Sequence, residues 1–217
     1  MESKIVVFSK PGAGKETRIS RFEAVRGNLY GTLSVGNLLR AERKQQTELG
    51  KKAESYMKKG KLVPDEIINK VVINGLKETH DPILMDGFPR TVVQAEEMLK
   101  AGVIPNFVIV LEVSDDVVIQ RAKDRIVCED CGASYTLNDF NPPKQAGVCD
   151  KCSGKLIRRD DDEEETVKER LETFYHDTYP VLNVFKNYGI KIYTIDNTNS
   201  DEAGKQFDQL LMEALEE

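Results

Sequence analysis

Ile5-Val-Val-Phe-Ser-Lys-Pro-Gly-Ala-Gly-Lys-Glu-Thr17 joins an apolar run to a glycine-rich turn, and Thr17–Phe22 continues as a potential helix. A strand, a tight turn and a helix start in that order form a cradle. Its backbone N–H groups and helix dipole favour phosphate oxygens. Pro11, Gly12, Ala13 and Gly14 form the turn, and Lys15 adds a point charge for terminal phosphates. The strict pattern G-x-x-x-x-G-K-[ST] asks for glycine at Ser9 and a hydroxyl residue at Glu16. The pattern therefore fails at two letters while its context holds. The competing reading is an ordinary loop that happens to carry Gly12, Gly14 and Lys15.

Working outward, strand-like apolar runs recur at Ile5–Phe8, Leu29–Leu33, Ile83–Met85, Phe107–Val113 and Ile190–Ile195. Helical stretches lie between them at Pro64–Leu76, Val92–Lys100 and Asp115–Arg125. Near-continuous apolar strands alternating with helices predict an α/β fold, a parallel sheet covered by helices on both faces. Asp201–Glu216 places Phe207, Leu210, Leu211 and Leu215 on one helical face, a core-packing stripe. Two regions break the rhythm. Ser34–Pro64 is Lys- and Glu-rich and helical, and Ile126–Glu163 has all four cysteines, Asn141-Pro-Pro143 and few large apolar residues. The second cannot build a core by hydrophobic burial and requires a staple.

The 217 residues suit one large domain with small insertions. No apolar stretch approaches the ~20 residues that span a bilayer, and no signal-peptide core opens the chain, so the expected location is the cytoplasm. A net charge of −6 argues against nucleic-acid binding as the main role but leaves an anionic small ligand open.

The cysteines read as Cys128-x-x-Cys131 and Cys149-x-x-Cys152, separated by residues 132–148. This is the spacing of a closed four-thiolate zinc site, whose role is to hold a lobe together. Gly132 and Gly154 suit the turns. Disulfides and a redox-active pair are the alternatives. A cytosolic setting disfavours the first, and the second Cys pair disfavours the other.

With the loop, Asp86-Gly-Phe-Pro-Arg-Thr91 and the cysteine lobe together, nearly the whole chain resembles an adenylate kinase, the long bacterial form with a zinc-bearing lid. Arg159-Asp-Asp-Asp162, Glu165-Thr-Val167 and Arg170 resemble the family's lid hinge. The resemblance implies a P-loop NTPase-like core at 1–33, 64–125 and 164–217, an acceptor-binding insert at 34–63 and a zinc lid at 126–163. It implies reversible phosphoryl transfer, ATP + AMP giving two ADP, by a monomer using magnesium.

Residue by residue, the resemblance implies ATP contacts from Pro11, Gly12, Ala13, Gly14, Lys15, Glu16, Thr17, Arg121, Arg125 and Tyr135. AMP would meet Val35, Arg40, Leu62, Val63, Gly87, Arg90, Gln94, Arg159 and Arg170. Lys15, Arg90, Arg125, Arg159 and Arg170 would surround the transferred phosphoryl, and Asp86 would hold magnesium through water. Arg121 matches the arginine lying against the donor base, Gln94 the glutamine that reads the adenine edge, and Asp161 and Asp162 the lid acids. Cys128, Cys131, Cys149 and Cys152 would hold zinc.

Departures from the family pattern fall at these same places. Ser9 replaces a loop glycine, which implies strain if that position needs φ > 0. Glu16 follows the lysine and would compete with phosphate for the same N–H groups, depressing turnover. Val35 and Asn37 remove a hydroxyl and a charge from the acceptor segment. Val35 favours looser base selection, as in related pyrimidine-monophosphate kinases, whereas Gln94 favours AMP. Ile126 and Asp124 replace an Arg and a Gly near the lid. Two other readings follow: a kinase of another base preference, and a paralogue that binds nucleotides with little turnover.

Overall fold

In the first strand, β1 (Lys4–Ser9), Ile5 and Val7 pack on one side of the sheet while Val6 and Phe8 pack on the other. This is the period-two alternation of a strand covered on both faces. The computed structural model describes residues 3–138, 141–159 and 162–216. After β1 come α1 (Lys15–Arg26), β2 (Gly31–Ser34), α2 (Val35–Lys44), α3 (Glu48–Met57) and α4 (Asp65–Glu78). Next are β3 (Ile83–Asp86), α5 (Val92–Lys100), β4 (Phe107–Glu112) and α6 (Asp115–Asp124). Three short strands follow: β5 (Arg125–Cys128), β6 (Ser134–Thr136) and β7 (Leu156–Ile157). The chain ends with α7 (Glu164–Thr173), a π-helical turn at Phe174–Thr178, α8 (Val181–Asn187), β8 (Lys191–Asp196) and α9 (Ser200–Glu216).

The main sheet is parallel throughout, in the order β2-β3-β1-β4-β8. One face packs on α2, α4, α5 and α8 through residues such as Leu39, Val72, Met98 and Phe185. The other packs on α1 and α9 through Ile19, Phe22, Phe207 and Leu211. The parallel sheet with helices on both faces is thus as the sequence leads one to expect. The second strand differs at its start: Leu29 lies ahead of β2 and is exposed.

The sheet order turns at β1, whose neighbours are β3 and β4, and the carboxyl ends of these strands carry the loops that form the site. Two groups of elements border that crevice. Helices α2 and α3 occupy 35–57, and β6-β5-β7 form a small antiparallel sheet. The small sheet buries Ile126, Tyr135 and Leu156 with Cys128 and Cys149. Lys44 on α2 lies 3.4 Å from Asp130 in the first cysteine turn, so the two groups meet over the crevice.

Candidate active site

The loop after β1 holds Gly12 at φ +82° and Gly14 at φ +94°, a region that favours glycine. Gly14 is the N-cap of α1 and no side chain caps that helix, leaving its first-turn N–H groups open toward an anion. Ser9 is the last residue of β1, paired with Leu111, and is not among the positive-φ residues. Positive-φ strain at Ser9 is therefore absent, because the sharp backbone demand falls at Gly12 and Gly14.

Lys15 pairs with Asp86, at the end of the neighbouring strand β3. Ser34 Oγ donates to the other Asp86 oxygen at 2.9 Å. Burial pushes the Asp86 carboxyl up, but the Lys15 charge and hydrogen bond, the Ser34 hydroxyl and Arg90 outweigh it, and the group sits below its usual value. A buried carboxylate beside the loop lysine suits a hard, oxygen-seeking cation such as magnesium.

One cavity of about 360 Å³ opens over these residues. Its wall carries the loop residues Pro11 to Thr17, and Val35, Arg40, Leu62, Val63, Asp86, Gly87, Arg90 and Gln94. Arg121, Arg125, Arg159 and Arg170 line it as well. Residues far apart in sequence are brought together because the strand ends and both flanking groups converge here.

Protein oxygens hold several of these cations. Arg90 Nε donates to Gly87 O at 2.9 Å. Arg125 makes a two-pronged contact with Asp162, with Nε donating at 2.8 Å. Asp161 lies outside the described residues. Arg40 donates to Asn37 Oδ1 and lies 3.8 Å from Glu16 Oε1. Glu16 thus faces Arg40 on the cavity wall, and the N-cap of α1 is Gly14 with no side-chain cap. For Arg90, burial lowers the pKa, Asp86 raises it, and the nearby charge of Arg159 lowers it.

Gln94, on α5, is buried with its amide held at both ends. Its Oε1 accepts from Arg90 N at 2.7 Å and its Nε2 donates to Asp65 Oδ1 at 2.6 Å. A carboxylate only accepts and a backbone N–H only donates, so the amide's orientation is settled.

Tyr135 is not on the cavity wall. It is buried in the small sheet, donating to or accepting from Cys149 Sγ at 3.4 Å and accepting from Asp150 N at 2.8 Å. Its neighbours Ser134 and Thr136 line the cavity instead, because adjacent side chains on a strand point to opposite faces. Ile126 pairs with Tyr135 and is buried in the same small core. Asp124 closes α6, accepting from Gln120 Nε2 at 3.1 Å and Asn138 Nδ2 at 3.0 Å.

The four cysteine Sγ atoms all lie within 4.8 Å of one another, with Cys128–Cys152 at 3.4 Å and Cys131–Cys149 at 3.6 Å. Tetrahedral zinc with Zn–S near 2.3 Å puts thiolates about 3.8 Å apart, so this donor set is compatible with zinc.

The sequence reading passed over Arg18 and Asn197, both buried on the cavity wall. A signal existed for Arg18: it stands four residues before Phe22, on the buried face of α1. Asn197 offered none, since its place depends on how the loop after β8 returns to the phosphate loop.

Residues 7–190 match the family model described as adenylate kinase. The adenylate kinase of Caldicellulosiruptor saccharolyticus is 39% identical over 94% of this chain and 96% of its own length. That of Alkaliphilus oremlandii is 41% identical over 89% and 90%, and that of Streptomyces avermitilis 42% over 87% and 88%. A match over most of the chain, joined to a phosphate loop, an arginine-lined crevice and a four-cysteine lobe, establishes that the chain belongs to the adenylate kinase family.

Proposed function

We propose that this phosphoryl-transfer enzyme catalyses ATP + AMP ⇌ 2 ADP with magnesium. The observation that carries this reading is the convergence of Lys15, Arg40, Arg90, Arg125, Arg159 and Arg170 on one cavity. Phosphoryl transfer asks little covalent chemistry of a protein; it needs alignment, positive charge around a dispersing negative charge, and exclusion of water. Four of these cations, Lys15, Arg125, Arg40 and Arg90, are held in advance by Asp86, Asp162, Asn37 and Gly87 O respectively. In this reading nucleotide phosphates take the place of these oxygens.

In this reading the loop N–H groups and Lys15 hold the donor's β- and γ-phosphates, and Arg40 and Arg90 hold the acceptor's phosphate. An acceptor phosphate oxygen bonds to the γ-phosphorus as the bond to the β–γ bridging oxygen breaks. Arg125, Arg159 and Arg170 neutralise the charge on the moving group. Magnesium, bound with the nucleotide near Asp86, supplies further charge neutralisation. Gln94 has one N–H and one oxygen lone pair beyond those bound to Asp65 and Arg90. That donor-plus-acceptor pattern complements adenine. The segments 34–63 and 126–163 act as acceptor insert and lid on a core of 1–33, 64–125 and 164–217, and zinc on the four thiolates holds the lid. Among the described residues no helix is long and apolar enough to cross a membrane. The working form in this reading is a cytoplasmic monomer.

The test supplies ADP and magnesium alone and follows ATP and AMP. Equal formation of both, abolished by Lys15→Ala, supports the reaction. No products with triphosphate binding intact rejects AMP as acceptor, and a panel of monophosphates then identifies the base. Failure of the whole panel leaves a nucleotide-binding paralogue.

A further inference from the structure

Arg18 is 5% exposed, set in α1 where that helix packs toward α9. Burial lowers its pKa, as do the neighbouring charges of Arg21 and Arg121, while Asp208 and Asp201 oppose that in part. The fold makes room for it. Gly204 lies inside α9, and a Cβ there would stand 2.7 Å from Arg18 Nη1. A buried cation and a glycine within a helix both weaken the folded state. The same place therefore holds two costs, and the contacts of Arg18 show what they serve.

Arg18 Nη2 donates to Asn197 Oδ1 at 2.6 Å. Asn197, 2% exposed, turns its Nδ2 to Ala13 O at 2.6 Å. A guanidinium only donates and a carbonyl only accepts, so Arg18 dictates which end of the Asn197 amide meets the phosphate loop. Arg121 completes the clamp, donating from Nη1 to Ala13 O and from Nη2 to Asn197 O, each at 2.8 Å. Asn197 N in turn donates to Glu112 O at 2.8 Å, tying the clamp to the end of β4. In a trans peptide the C=O and the following N–H point in opposite directions. Holding Ala13 C=O toward α6 and the loop after β8 turns Gly14 N–H the other way, toward the cavity.

We propose that Arg18 is a positioning residue for the donor half of the site: acting through Asn197, it orients the Ala13–Gly14 peptide so that the loop N–H meets the nucleoside triphosphate. This rests on the phosphoryl-transfer reading above. In the acceptor half, Arg40 bonds to Asn37, Arg90 to Gly87 O, and Gln94 to Arg90 N and Asp65.

The experiment compares wild type with Arg18→Ala, Arg18→Lys and Asn197→Asp. It measures KM for ATP and AMP separately, and Kd for ATP by calorimetry. Asn197→Asp keeps a partner for Arg18 but presents an oxygen to Ala13 O. It should raise KM and Kd for ATP about tenfold and leave KM for AMP within about twofold, the size expected on losing one buried hydrogen bond. Arg18→Ala should act likewise, and Arg18→Lys, which keeps one donor, should recover part of the loss. Should Arg18→Ala not fold, Asn197→Asp decides. Equal changes in both KM values, or an unchanged ATP Kd in a folded Asn197→Asp protein, overturn the proposal. Wild type that binds ATP but does not consume AMP overturns the assigned reaction instead, while the ratio of ATP Kd values still reads the role of Arg18.

Discussion

In the five-stranded sheet Phe22, Phe185 and Phe207 are buried completely between strands and helices, whereas the lobe around β5–β7 buries Ile126, Tyr135 and Leu156 beside two thiols. The sheet has two hydrophobic layers, each running through several helices. The lobe has one small cluster and four convergent cysteines. The contrast teaches that one chain can fold its parts on separate terms: apolar area holds the sheet, while the lobe sets four thiols where metal–ligand bonds would make up for its small core. It follows that the two can be broken separately.

The largest effect expected is from removing metal. Zinc held by the four thiolates would contribute on the order of 10 kcal/mol, more than a small apolar cluster supplies. Chelation, or Cys149→Ser, should unfold the lobe and expose 126–163 to protease while the sheet keeps its cooperative melt. Turnover should fall by about 100-fold or more, because Arg125 and Arg159 border the lobe and lose their setting. Limited proteolysis with metal analysis checks this, and a metal-free protein with a protected lobe would contradict it.

The mirror experiment acts on the sheet. Phe207→Ala should cost about 3–5 kcal/mol in global unfolding, as for other fully buried aromatics. Leu156→Ala, in the lobe, should leave the sheet's denaturation midpoint nearly unchanged while loosening the lobe. Chemical denaturation followed beside proteolysis of 126–163 separates the two. Equal shifts of the global midpoint would show that sheet and lobe fold as one unit.

The same contrast explains what was legible in the sequence. Strands covered on both faces leave continuous apolar runs, so Ile5–Phe8 and Phe107–Leu111 were readable without any partner information. The cysteine pairs were readable because ligand spacing is local. The face of a three-residue strand is not, and Tyr135, read as a nucleotide contact, points into the lobe's core while Thr136 faces the cavity. The strain expected at Ser9 failed because the pattern letter does not reveal which residue carries the positive φ. Asn197 meets Ala13 across most of the chain's length, a pairing that exists only once the sheet has closed.

Acid should find the loop before it finds the apolar layers. The Asp86 carboxyl is held below its usual value, so its contribution to stability is complete above the unfolded pKa near 4 and is lost as pH falls through the lower folded value. Stability measured from pH 6 down to pH 2 should hold until the pH approaches the unfolded value and decline below it, and Asp86→Asn should flatten that decline. An identical acid limb in both proteins would show that Asp86 contributes nothing there.

The smallest effect belongs to Glu16, the residue at which the loop departs most from its pattern. The sequence sets its carboxylate to compete for the loop N–H groups and to slow turnover. In the structure it faces Arg40 at 3.8 Å, with both side chains partly exposed. An ion pair of that length and exposure is worth under about 1 kcal/mol. On the proposed reading, in which Arg40 holds the acceptor phosphate, an arriving monophosphate must displace Glu16 as well as Asn37. Glu16→Gly should lower KM for AMP about two- to fivefold, leave KM for ATP unchanged, and lose most of its advantage in high salt, where the pair in wild type is already screened. A change confined to KM for ATP would instead return Glu16 to the donor loop. The departure would then be a defect of the cradle, with no role in setting acceptor affinity.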